Sequence, residues 1–156
     1  MLHKGQIMPV KRTKNINIQA LKLGNIDIKS GWFADAVYPD GTKAAMVAAT
    51  HEFGTNDIPA RPIIRPTVER EKENWKRIIK DGSRRILNGE IDSFKEGFGL
   101  QVQGDIQVTI AQMQGPALAG STIKARQRKL ADGKTVGSLD KPLVETGYLL
   151  SSVKSK

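Results

Sequence analysis

The chain contains no cysteine, which removes disulfides, thiolate nucleophiles and cysteine-based zinc sites together. Histidine is almost missing too, with only His3 and His51 present. No apolar run approaches the roughly 18 residues that a membrane span requires. The first residues form no apolar core of the signal-peptide kind, so neither secretion nor a membrane partner is expected. Aromatic residues make up only 5% of the sequence, and none is interleaved with the basic runs as base-stacking RNA binders require. What remains is the composition of a soluble globular protein made in the cytoplasm. Its 156 residues suit one domain, and its 15 glycines and 7 prolines imply many turns.

The net charge of +9 sits at the ends of the chain. Residues 1–30 carry an excess of +5, residues 31–120 an excess of −1, and residues 121–156 again +5. Basic ends suit an anionic partner such as nucleic acid or an acidic protein face, and equally a solvated surface.

Hydrophobic periodicity sets the order of elements. Residues 1–24 read as a basic, mobile lead-in, and residues 25–156 as a single α+β domain. In "NIDIKSGWF", Ile26, Ile28, Ser30 and Trp32 alternate with polar residues as a strand does, and "YPDGT" supplies a turn. "TKAAMVAATHEFG" predicts a short helix with Thr42 as N-cap and Gly54 as its stop. A long helix over 66–88 would bury Val68, Trp75, Ile78, Ile79 and Ile86, with Pro66 in its first turn. A second long helix follows "NGEID", with Phe94, Phe98, Val102, Ile106, Ile110 and Met113 on one face. Gly97, Gly99 and Gly104 weaken that helix by up to about 1 kcal/mol each, unless they let a neighbour approach. Ser121 or Thr122 would cap a short basic helix, "GKTVGSLDKP" reads as a loop, and the last residues predict an apolar turn and a strand. The expected architecture is a small antiparallel sheet with strands from both ends of the chain, packed against two long helices.

Chemistry is hard to find. His51 and Glu52 invite a metal or acid/base reading, but a zincin helix needs a second histidine one turn on, and Thr55 stands there. Adjacent helical residues also point about 100° apart, so the two do not share a target. The serines lie in no nucleophile elbow, and Gly97 and Gly99 precede no Gly-Lys-Ser/Thr phosphate loop. No catalytic set, metal site or cofactor is expected. "KARQRK" supplies Lys124, Arg126, Arg128 and Lys129 as candidate contacts for DNA phosphates or an acidic partner, which makes a basic DNA-binding accessory protein the alternative reading.

The stretch "HEFGTNDIPARPIIRPT" is the most distinctive in the chain. Pro59, Pro62 and Pro66 fix their own backbone and push Ile58, Arg61 and Arg65 out of the helical region. A stiff loop loses little entropy on docking, and projecting arginines would bind a neighbour's carboxylates. Phe53, Gly54, Thr55, Pro59, Arg61, Pro62 and Arg65 are therefore the candidate interface. A stiff linker that aims the next helix would have the same sequence.

The order Glu52-Phe53-Gly54-Thr55, then Pro59-Ala60-Arg61-Pro62, then Ile63-Ile64-Arg65-Pro66 leading into a long helix, carries a resemblance. So do "ALAGSTIKARQRK" and the closing Pro142, Leu143, Thr146, Gly147 and Leu149. Over residues 31–153 the chain resembles the virion morphogenesis (tail-completion, neck) family of tailed bacteriophages, although it has Ile64 where relatives often carry an aromatic residue. The resemblance implies a non-enzymatic virion protein assembled in the host cytoplasm. It implies a homo-oligomer, commonly a hexameric ring, at the head-proximal end of the tail. The ring's neighbours would be the tail terminator or tail tube protein and the head-side connector protein, with non-specific DNA in the channel.

Overall fold

The computed structural model describes residues 26–143 and 145–156; the basic lead-in expected over 1–24 lies outside the described residues. The elements run β1 (Ser30–Gly31), α1 (Ala44–Phe53), α2 (Ile64–Leu87), α3 (Ile91–Gln112), α4 (Gly120–Ala131), α5 (Tyr148–Ser151) and β2 (Lys154–Ser155). The fold is α+β, as the periodicity predicts. β1 and β2, from opposite ends of the described chain, pair antiparallel with Ser30 opposite Ser155 and Gly31 opposite Lys154. Both strands lie on α3, and α2 packs along α3.

The first strand is much shorter than its alternating pattern suggests. Its partner offers only Lys154 and Ser155, with one further pair of amide bonds between Lys29 and Lys156, so Ile26 and Ile28 have no ladder to join among the described residues. Gly99 explains why this small sheet can sit so close to a helix. A Cβ there would run into the Ser155 side chain. The close neighbour allowed at Gly99 is thus a strand, and at Gly82 of α2 it is the Phe94 ring.

The inward line of α2 runs through Thr67, Gly82 and Ile86, which are buried, and Trp75 and Ile78, which are half-buried. Val68 and Ile79 each follow a member of that line by one residue, about 100° round the helix, and are exposed, contrary to the expected stripe. The face predicted for α3 holds throughout, with Phe94, Ile106 and Ile110 buried and Phe98, Val102 and Met113 half-buried. Phe98 stacks on Phe94 and takes the Trp75 ring edge-on. A polar seam accompanies these rings. Thr67 and Thr109 share a hydroxyl hydrogen bond of 2.6 Å, and Trp75 Nε1 donates to the buried Asp105 carboxylate at 2.7 Å. The main core lies beside this seam, where Ala44, Ala48, Ile63, Ile106, Ile110, Leu143, Leu149 and Val153 meet.

Two capping expectations fail for local reasons. The Thr42 amide bonds to the Asp40 carboxylate at 2.9 Å within the preceding turn, so Lys43 takes the N-cap of α1 without a side-chain bond. α4 begins at Gly120, one residue before Ser121, with Ala119 at its N-cap and no capping side chain.

Candidate functional site

The candidate site is the joint between α1 and α2. α1 ends at Gly54, whose N–H bonds to the Thr50 carbonyl and whose φ of 74° is left-handed. A Cβ at Gly54 would lie 2.9 Å from the Ala60 nitrogen, so the loop returns too closely for any other residue. Thr55 then closes a turn on itself: its N–H donates to the Ile58 carbonyl at 2.8 Å and its Oγ1 accepts the Ile58 N–H at 3.1 Å.

α2 begins with a shortage of acceptors. The residues before it, Arg61, Pro62 and Ile63, offer no capping side chain, so the first amides of the helix need an acceptor from elsewhere. Glu52 supplies it from α1. Its carboxylate accepts the N–H groups of Ile63 at 2.5 Å, Ile64 at 2.8 Å and Arg65 at 3.2 Å. Pro66 has no N–H, and Thr67 bonds back to the Ile63 carbonyl. The amides of Ile63, Ile64 and Arg65 are therefore satisfied by one buried carboxylate, and Pro66 has none to satisfy. Burial pushes the Glu52 carboxyl up, but the amides of Ile63 and Ile64 and the Arg65 guanidinium outweigh it and hold the group below the usual glutamate value.

The two arginines of the motif do not project as the proline spacing suggests. Arg61 is only 4% exposed; its Nε donates to the Pro116 carbonyl at 2.8 Å and its Nη2 to the Ala117 carbonyl at 3.0 Å. It ties the joint to the loop between α3 and α4, because a planar guanidinium can span two successive carbonyls. Arg65 is exposed, yet it folds back, with Nε 3.0 Å from Glu52 Oε1 and Nη2 2.7 Å from the Glu52 carbonyl. Of the other candidate interface residues, Phe53, Thr55 and Pro59 are exposed and Gly54 and Pro62 are half-buried. Phe53 stands out at 75% exposure, with the Arg65 guanidinium 5.8 Å from its ring centre.

His51 and Glu52 part company, as adjacent helical residues must. Glu52 turns to the start of α2, while His51 lines a cleft of about 650 Å³ between α1, the 54–61 loop, α4 and the segment around Leu149. Burial, and then the Arg61 charge, lower the His51 pKa, so the ring is neutral at pH 7. Its Nδ1 is buried without a hydrogen-bond partner among the described residues. Among those residues no three His, Cys, Asp or Glu side chains converge as a metal ion would need.

The basic run on α4 divides in the same way. Arg126 is buried, and its Nη1 donates to the carbonyls of Ser138 and Lys141, both at 2.8 Å, which is a correction to its expected place on a phosphate-binding face. Lys129 reaches the Glu145 carboxylate at 2.6 Å. Lys124 and Arg128 are exposed. In the closing motif Pro142, Leu143 and Leu149 are buried, and Gly147 takes a left-handed φ of 72° just before α5. Sequence reasoning missed Glu52 as a cap, although the lack of any capping residue before Ile64 was its signal. It also missed Asp105, a carboxylate inside the apolar face of α3.

The chain matches no protein-family model, no curated protein and no solved structure.

Proposed function

We propose that this protein is a structural subunit of the neck of a tailed bacteriophage. It works as a homo-oligomer, in ring form, that completes the head-proximal end of the tail. There it joins the tail terminator or tube to the head connector around the DNA channel. The observation that carries this reading is the ordered pair of motifs, Glu52 to Pro66 and Pro142 to Leu149, which the resemblance rests on. The geometry bears on it in one respect: Glu52 and Arg61 of the first motif are spent on the subunit's own backbone, while Phe53 is left 75% exposed beside them. Arg61 thus shapes the subunit, and contact with neighbours falls to the residues that stay exposed, Phe53 and Arg65 among them.

The DNA-binding alternative draws on fewer groups than the sequence offers, since Arg126 is buried against carbonyls and the exposed Lys129 is paired with Glu145, which leaves Lys124 and Arg128 as the exposed cations of that run with no ion pair among the described residues. Deleting the gene from a phage that carries it tests the main reading. Filled heads and finished tails that fail to join are expected; normal infectious particles would overturn it. Tight binding of free duplex DNA by the monomer at physiological salt would favour the alternative.

A further inference from the structure

α1 separates two surfaces, an exposed apolar knob and a cleft. On one side Phe53 is 75% and Met46 64% exposed, with Ala49 exposed between them. At about 100° per residue, Val47 and His51 lie on the opposite side of the same helix, where they line the 650 Å³ cleft. The cleft wall is mixed: Val47, Ile58, Leu118 and Leu149 give it apolar patches, the cations Arg61, Arg126 and Lys129 that also line it are bonded within the subunit, and Asp40 and Asp57 complete it. Neither aspartate forms an ion pair among the described residues. The apolar knob, by contrast, arrives with a cation, because Arg65 lies over the Phe53 ring.

A knob and a cleft that face opposite ways cannot meet within one chain. They can meet between two chains, and the contact is then heterologous: each copy gives one surface and takes the other. We infer that the Phe53–Met46 knob of one copy seats in the cleft of the next. Phe53 enters against Val47, Ile58 and Leu149, and Arg65 comes to the Asp40 and Asp57 carboxylates. A contact of this kind repeats, and it closes into a ring when its rotation completes a full turn. The inference rests on the ring reading above and names the contact that would build it.

The test uses the full chain and two kinds of variant. Phe53→Ser removes the knob at an exposed position, so the monomer should fold and melt as before. Ala119→Trp fills the cleft, and Thr122→Arg does the same by another side chain in case the first impairs folding. Sedimentation or mass photometry should show the wild type assembled, and each variant weakened in self-association by at least about tenfold. A mixture of the knob and cleft variants should give dimers and nothing larger, because each keeps one working half. Wild-type assembly with Phe53→Ser assembling equally well would overturn this contact and leave the ring reading standing. A mixture that stays monomeric would also overturn it. A wild type that remains monomeric up to about 100 μM would bring down both. Loss of particle joining by Phe53→Ser with self-association unchanged would assign the knob to a different virion protein.

Discussion

Arg65 grips Glu52 twice, through its carboxylate Oε1 at 3.0 Å and through its main-chain carbonyl at 2.7 Å. These bonds close the last turn of α1 onto the first turn of α2. The other carboxylate oxygen is left for the amides of Ile63 and Ile64. A helix N-terminus carries partial positive charge, so the Glu52 anion serves as both cap and counter-charge. What looks in the sequence like half of a catalytic dyad is a clasp between two helices. The arginine read as reaching outward completes it.

Substituting Glu52 should therefore cost stability. Glu52→Ala leaves three amides without their acceptor and should destabilise the fold by about 3 kcal/mol, and Glu52→Gln, which keeps one acceptor oxygen, by about 1–2 kcal/mol. The effect should depend on pH in a definite sense. The folded-state pKa of Glu52 lies below the ordinary value of about 4.5, so its contribution is fully present above that pH. It is lost as the pH falls through the lower, folded-state value. Urea unfolding of wild type and Glu52→Gln across this range should show a gap that is widest near neutrality and narrows below about pH 4.5. A gap independent of pH would mean that the carboxylate is not the capping species.

Arg61 separates an internal role from an external one. With both donor edges on the carbonyls of Pro116 and Ala117, Arg61→Ala should lower monomer stability by about 2–3 kcal/mol, through lost charge-assisted bonds and two carbonyls left unpaired. Arg61→Lys should recover only part of this, because an ammonium cannot span both acceptors in one plane. Thermal melts of the three proteins check the prediction. Unchanged melts with defective assembly would return Arg61 to the surface role that the proline spacing suggests.

How much of this was legible in the sequence differs from element to element. The α3 face could be read because six apolar residues at helical spacing leave no other register that buries them. The strand pairing could be read only as strands from both ends, since a two-residue ladder is set by where β2 meets Ser30 and Gly31 rather than by the alternation in Ile26 and Ile28. The joint was read in part. Proline geometry predicts an extended loop up to Pro66, but α2 already begins at Ile64 and Arg65 is helical despite the proline after it; the direction of an arginine depends in turn on which carbonyls lie nearby. Those of Pro116 and Ala117 are 55 and 56 residues away from Arg61 in the chain. The basic run on α4 misled for the same reason, since the acceptors of Arg126 come from the loop that follows the helix. Local patterns report periodicity; long-range acceptors decide which charges turn inward.

The glycines give the sharpest contrast between positions of one residue type. Gly54 has a left-handed φ and backbone atoms of Ala60 and Ile58 pressed against the place of its absent Cβ. Gly54→Ala should cost at least about 2 kcal/mol, because neither the backbone nor the loop can move without undoing the clasp. Gly97 and Gly104 lie within α3, and a Cβ at either would meet nothing within 4 Å among the described residues. In the isolated subunit they lower helix propensity and gain no packing in return, so Gly97→Ala and Gly104→Ala should each raise stability by about 0.5–1 kcal/mol. Chemical denaturation of the three single variants measures all of this. If the two α3 variants are more stable as monomers and yet impair assembly, the open face of α3 is also covered by a neighbour, and its glycines serve that approach. If they assemble normally, the face is solvent in the particle, and the contacts between subunits lie elsewhere.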